Sequence, residues 1–247
     1  TRAALQSLWR YNFSPDVGPY RAVNGAGRWY AMAGEAGLLM CTFPRKDWSF
    51  ADAIGKNNNS FFAGYFNECM NGFEYQAAGH MIWEGLVQEG LAVTRAVHDR
   101  YHAFKRNPWN EIECGDHYAR SMASYGVFIA ACGFEYHGPK QHIGFAPKLT
   151  PENFKAAFTA AEGWGSLSQS RNGKAQINRI EVKWGGLRLK TLAFELPPGV
   201  TFKAATVSVG TKRITAKALQ TGQRVELMLA KEVTLQAKGS LNAKLEY

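Results

Sequence analysis

Asn107 to Arg120 reads Asn-Pro-Trp-Asn-Glu-Ile-Glu-Cys-Gly-Asp-His-Tyr-Ala-Arg, gathering two aromatics, a histidine, three acids and an arginine into fourteen residues. Glu111 and Arg120 are the pair best suited to chemistry. A carboxylate accepts two O–H donors, a guanidinium donates in a planar fork, and rings cover apolar sugar faces. With Asn110, Trp109, His117 and Tyr118 around them, these groups form a candidate binding site for vicinal hydroxyls. A structural Glu–Arg pair at a buried helix start would use the same two residues, and spacing alone favours it.

The elements around the pair must bring the two together. Glu111 and Arg120 lie nine residues apart, which on one straight helix puts them about 180° apart. They can face one ligand only if Glu111 is on an incoming loop and Arg120 is in the first turns of a helix. Pro108 keeps the incoming segment extended, Gly115 permits a sharp turn, and Asp116 suits an N-cap. A helix is then expected towards Cys132, with Tyr118, Met122, Tyr125 and Ile129 facing a core and Gly133 closing it.

Upstream, Leu5, Leu8 and Trp9 have helical spacing and Ser14-Pro15 ends that pattern. Residues 15–59 carry no sustained period and read as a long aromatic-rich loop, followed by a short helix within 61–71. Residues 73–104 read as one long helix, with Ala78, Ile82, Leu86, Val93 and Val97 on a stripe. His98 and His102 share a helix face, but Asp99-Arg100-Tyr101 lacks the glutamate of the zinc-protease motif and no third ligand is apparent. Gly25-Ala26-Gly27 lacks the third glycine of a dinucleotide fingerprint. No metal or cofactor is expected.

From about Gln141 the period drifts towards two. Gln176–Trp184 and Leu187–Leu196 alternate on either side of Gly185-Gly186, a hairpin signal. Further strands fit Ala205–Val209, Arg224–Leu229 and Leu241–Tyr247, while residues 150–169 suit either helix or strand. The expected organisation is helical over residues 1–150 and antiparallel β-rich over 151–247.

The net charge of +9 comes entirely from residues 171–247, which hold 14 basic and 5 acidic groups. Those lysines and arginines alternate with apolar residues, as on the wet face of a sheet, so a nucleic-acid partner is not expected. The four cysteines have no CxxC spacing and read as free, mostly buried thiols. No apolar run is long enough to span a membrane, and there is no charged-then-apolar leader. Thr1 opens directly into a helical pattern, as in a cleaved, divided or trimmed polypeptide.

In Asn107–Arg120 the chain resembles the C-terminal part of glycoside hydrolase family 116, the retaining β-glucosidases that include the non-lysosomal glucosylceramidases. Ala4-Leu5-Gln6-Ser7, Arg21-Ala22-Val23-Asn24-Gly25, Trp83-Glu84-Gly85 and Arg120-Ser121-Met122-Ala123 extend the likeness over most of residues 1–170. The resemblance implies an α+β chain: the C-terminal part of an (α/α)6 helical barrel, followed by a small antiparallel β-sheet extension. It also implies that Glu111 and Arg120 bind hydroxyls of the non-reducing sugar. Two departures bear on sugar preference, since the better known glucosylceramidases carry tryptophan at the Met70 position and arginine at the Gly126 position.

Retaining hydrolysis needs two carboxyl groups about 5–5.5 Å apart. In the family both lie upstream of the part represented here, and no acid in this chain matches either motif. The chain is therefore expected to be inactive alone and to supply the glycone subsite, completed by a second chain with the N-terminal β-domain and catalytic carboxylates. A β-glucoside is the expected substrate. The alternative is a non-catalytic carbohydrate-binding module that keeps the pocket without the chemistry.

Overall fold

A computed structural model describes residues 1–24, 31–42, 68–105 and 120–247. The chain divides into two compact units, Thr1–Ala130 and Ala131–Tyr247.

In the first unit, α1 (Arg2–Asn12) buries Leu5 and ends where Trp9 stacks on Phe13, ring centroids 4.2 Å apart. Asn12 donates its side-chain amide to the carbonyl of Leu39, which fixes the pairing of β1 (Phe13–Ser14) with β2 (Gly37–Leu38). Next comes α2 (Gly18–Asn24), entered through Asp16, whose carboxylate accepts the N–H groups of Gly18 and Gly34. The stretch expected as one long helix is two, α3 (Asn71–Trp83) and α4 (Val87–Arg100). Gly85, at φ +80°, reverses the chain between them. The expected stripe holds, because Ala78, Ile82, Leu86, Val93 and Val97 are all buried. The helices approach so closely at Gly90 that a Cβ there would lie 2.6 Å from the Ala78 carbonyl oxygen.

The helix after Arg120 begins as a 3₁₀ turn, Arg120–Ala123, and continues as α5 (Ser124–Cys132). Its buried residues include Val127 and Ala130, whereas Met122 and Tyr125 are 70% and 40% exposed. The expected core stripe is thus on the wrong face. α5 is apolar on nearly every side, so periodicity alone cannot choose which side packs.

The second unit is a ten-stranded mixed sheet. The strands are β3 (Glu135–His137), β4 (His142–Phe145), β5 (Asn153–Ala160), β6 (Gly163–Asn172), β7 (Ala175–Glu195), β8 (Ala204–Val209), β9 (Lys212–Ile214), β10 (Ala216–Thr221), β11 (Arg224–Gln236) and β12 (Ser240–Glu246). The 21-residue β7 is its spine. The first half of β7 pairs with β6 and β12, the second half with β11 and, in parallel, with β4. Leu167, Ile180, Val182, Leu192, Phe194, Leu227 and Leu241 are among the side chains that fill one core from both halves. Each such burial contributes roughly 1.5–3 kcal/mol.

The Gly185-Gly186 hairpin does not form, and β7 runs straight through it. Gly185 takes φ +71°, and a Cβ there would lie 2.1 Å from the Glu162 carbonyl oxygen. The side of the strand that faces inward changes at a bulge just before the glycines: even positions are buried up to Val182, then Leu187 and Leu189. Lys183 supplies the extra residue of the bulge opposite Trp164–Gly165.

These observations overturn the expected fold class. The described residues hold five α-helices of 7 to 14 residues, and the sheet is the larger element, running from Glu135 to Glu246. This is not part of an (α/α)6 barrel with a small sheet appended. The physical reason is the sustained period of two beyond Glu135, which commits about half the chain to strands.

Candidate functional site

Of the sequence-predicted site residues, Arg120 is described, while Trp109, Asn110, Glu111 and His117 lie outside the described residues. Arg120 opens the 3₁₀ turn, and its guanidinium lies 5.2 Å from the centroid of the Phe73 ring, within cation–π range. The side chain crosses Gly72, where a Cβ would come within 3.1 Å of both Cβ and Cδ of Arg120. Gly72, Phe73, Gln76, Arg120 and Ala123 line an open hollow of about 350 Å³. A guanidinium, an amide and an exposed ring around open space can donate to, accept from and stack on a polyol.

Beneath the hollow, the first turn of α3 is anchored by a buried charge network that the sequence reading did not single out. Glu74 receives both terminal nitrogens of Arg100, and it also accepts the Leu38 backbone N–H at 2.8 Å. Arg100 donates further to the Ala36 carbonyl at 3.0 Å. Burial pulls the Arg100 guanidinium down, but the Glu74 carboxylate outweighs it and raises its pKa. Asn71 hydrogen-bonds the Tyr101 hydroxyl, and Glu68 and Arg21 are buried beside Cys69. The signal available in the sequence was the density of polar residues in Glu68-Cys69-Met70-Asn71-Gly72-Phe73-Glu74. Met70 is buried, while Gly126 faces open space.

Cys69 and Cys132 are buried and Cys41 half-buried, all three as free thiols. Burial pushes the Cys132 thiol up to about 11. His98 and His102 are both exposed, and His102 stacks on Phe104. Among the described residues no cluster of metal-ligating side chains occurs, and no helix is long and apolar enough to cross a membrane.

The second unit holds its own polar cluster. Arg224 grips Glu135 through both terminal nitrogens at 2.6 and 2.9 Å. His142 bridges Glu135 at 3.3 Å and the Thr191 hydroxyl at 2.8 Å. His142, Arg224 and the cost of burial act together on Glu135, with a net pKa lowered to about 2.

No protein-family model matches the sequence, and no curated protein matches it. Similar solved structures include an α-L-rhamnosidase from Dictyoglumus thermophilum, 14% identical, covering 54% of this chain and 14% of that one at a TM-score of 0.31. A GH127 β-L-arabinofuranosidase from Geobacillus stearothermophilus T6 is likewise 14% identical at a TM-score of 0.31, covering 52% of this chain and 18% of that one. The chain therefore spans less than a fifth of either protein's length, and a TM-score at this level establishes neither a shared fold nor a shared activity.

Proposed function

We propose that the chain supplies the sugar-binding part of a glycoside-acting protein, with Arg120 and Glu111 holding hydroxyls of a β-glucoside. The catalytic carboxylates then reside on an upstream segment or a second chain. One observation carries this reading: the Arg120 guanidinium is held over Phe73, across Gly72, at an open hollow. Gln76 supplies a second donor and acceptor at the same rim. The motif Asn107–Arg120 adds Glu111, Asn110, Trp109 and His117 as further candidate ligands.

The test is calorimetric titration of the purified chain with an aryl β-glucoside, with turnover and native mass followed on the same sample. Binding should weaken about tenfold or more in Arg120→Ala and in Glu111→Gln, as expected when a charge-assisted hydrogen bond is lost. Turnover should appear only with the carboxylate-bearing chain. Equal affinity in wild type and both variants would remove the site from the argument.

A further inference from the structure

Trp164 and Trp184 are direct partners across β6 and β7, and both indoles point outward, 50% and 65% exposed. Directly opposed side chains on one sheet face have Cβ atoms about 4.5–5.5 Å apart. Two large exposed rings in one row, where the three surrounding glycines let the backbones close in, make an apolar step on a polar sheet.

The rows beyond the tryptophans are polar. Ser166 opposes Glu181, and the row after that runs Lys155, Ser168, Arg179 across β5, β6 and β7. Four residues of β6 separate the tryptophan row from the arginine row, roughly 13 Å of strand. Glu181 accepts from Lys183 Nζ at 2.6 Å and lies 3.8 Å from Arg179 Nε. Lys155, Arg179 and Lys183 therefore surround one carboxylate on this face, and residues 171–247, which include the last two, hold 14 basic and 5 acidic groups.

We propose that the outer face of β5, β6 and β7 around Trp164 and Trp184 docks an acidic polysaccharide. Its sugar rings stack on the two indoles, and its carboxylates lie beside Lys155, Arg179 and Lys183. The indoles match the apolar face of a pyranose, and the cationic excess matches a chain of carboxylates. Glu181 adds an acceptor for the hydroxyl protons that every pyranose ring offers, whereas a phosphodiester linkage offers no such donor. This surface belongs to the second unit and stands independently of the Arg120 reading.

The full chain is titrated calorimetrically with polygalacturonate, with a neutral glucan and with single-stranded oligothymidylate at matched ionic strength. Polygalacturonate is expected to bind best, more weakly as salt rises. Trp164→Ala and Trp184→Ala each weaken it at least fivefold, while Trp184→Tyr stays within twofold. Thermal melting confirms that each variant is folded. Tryptophan variants that melt like wild type and still bind polygalacturonate as wild type would overturn the proposal. So would a preference for the neutral glucan or for oligothymidylate.

Discussion

Arg100 donates through both terminal nitrogens to the two carboxylate oxygens of Glu74, and each side chain is only 1% exposed. Nothing about a buried ion pair guarantees stability, since desolvating both charges can cost as much as their attraction returns. Removing one partner is different, because the survivor is then a buried charge without compensation.

Glu74→Met and Arg100→Met should each destabilise the first unit by roughly 3–5 kcal/mol, whereas the double variant carrying both should cost far less. Urea unfolding followed by helical circular dichroism measures all three. Additive losses in the double variant would show that the pair is not coupled.

Gly72→Ala pushes on Arg120 without touching its charge, because the added methyl meets Arg120 Cβ and Cδ at 3.1 Å. Stability should fall by no more than about 1 kcal/mol, while glycoside affinity falls severalfold. Titration and melting on one sample separate the two effects. A variant that binds as tightly as wild type would detach the hollow from sugar recognition.

The Glu135–Arg224 pair makes acid sensitivity predictable. A carboxyl whose folded pKa lies near 2 instead of 4.5 contributes stability above about pH 4.5, and that contribution drains away as pH falls towards 2. Its side chain is 39% exposed, so solvent screening limits the loss to roughly 1 kcal/mol. In Glu135→Gln the second unit should be less stable near pH 7 and flatter between pH 4.5 and 2. Parallel wild-type and variant stability curves over that window would contradict this account.

Gly185 and Gly222 both have positive φ, but only Gly185 has backbone in the way of a Cβ, the Glu162 oxygen at 2.1 Å. Alanine at Gly222 should cost about 1–2 kcal/mol from backbone strain alone. At Gly185 the loss should exceed that by at least about 2 kcal/mol, because β6 and β7 must also part. Equal melting temperatures for the two variants would mean that the crossing of β7 past residue 162 is not tight.

Much of the first unit was legible because helical spacing survives in Leu5, Leu8 and Trp9 and in the stripe from Ala78 to Val97. Strand alternation was legible too, yet Gly185-Gly186 misled. Two glycines between alternating runs are the local signature of a hairpin, and only the carbonyl of Glu162 explains why they are needed in a continuous strand. The face of α5 was illegible for the opposite reason, an excess of apolar residues. At the candidate hollow, Arg120 stood out in the sequence by residue type, whereas Phe73 and Gly72 sit 47 and 48 positions earlier and no spacing rule connects them. The (α/α)6 expectation failed because it came from motif resemblance in the helical part and weighed the strand-forming half too lightly.

β7 exchanges backbone hydrogen bonds with β4, β6, β11 and β12, so the two halves of the second unit share a single thread. Neither half can melt while the other keeps its full ladder. Amide protons from Ile180 to Leu192 should therefore exchange with solvent only when the entire unit opens, all at one rate-determining free energy. A sheet built on separate hairpins would instead shed its protection piecemeal, from the edges inward.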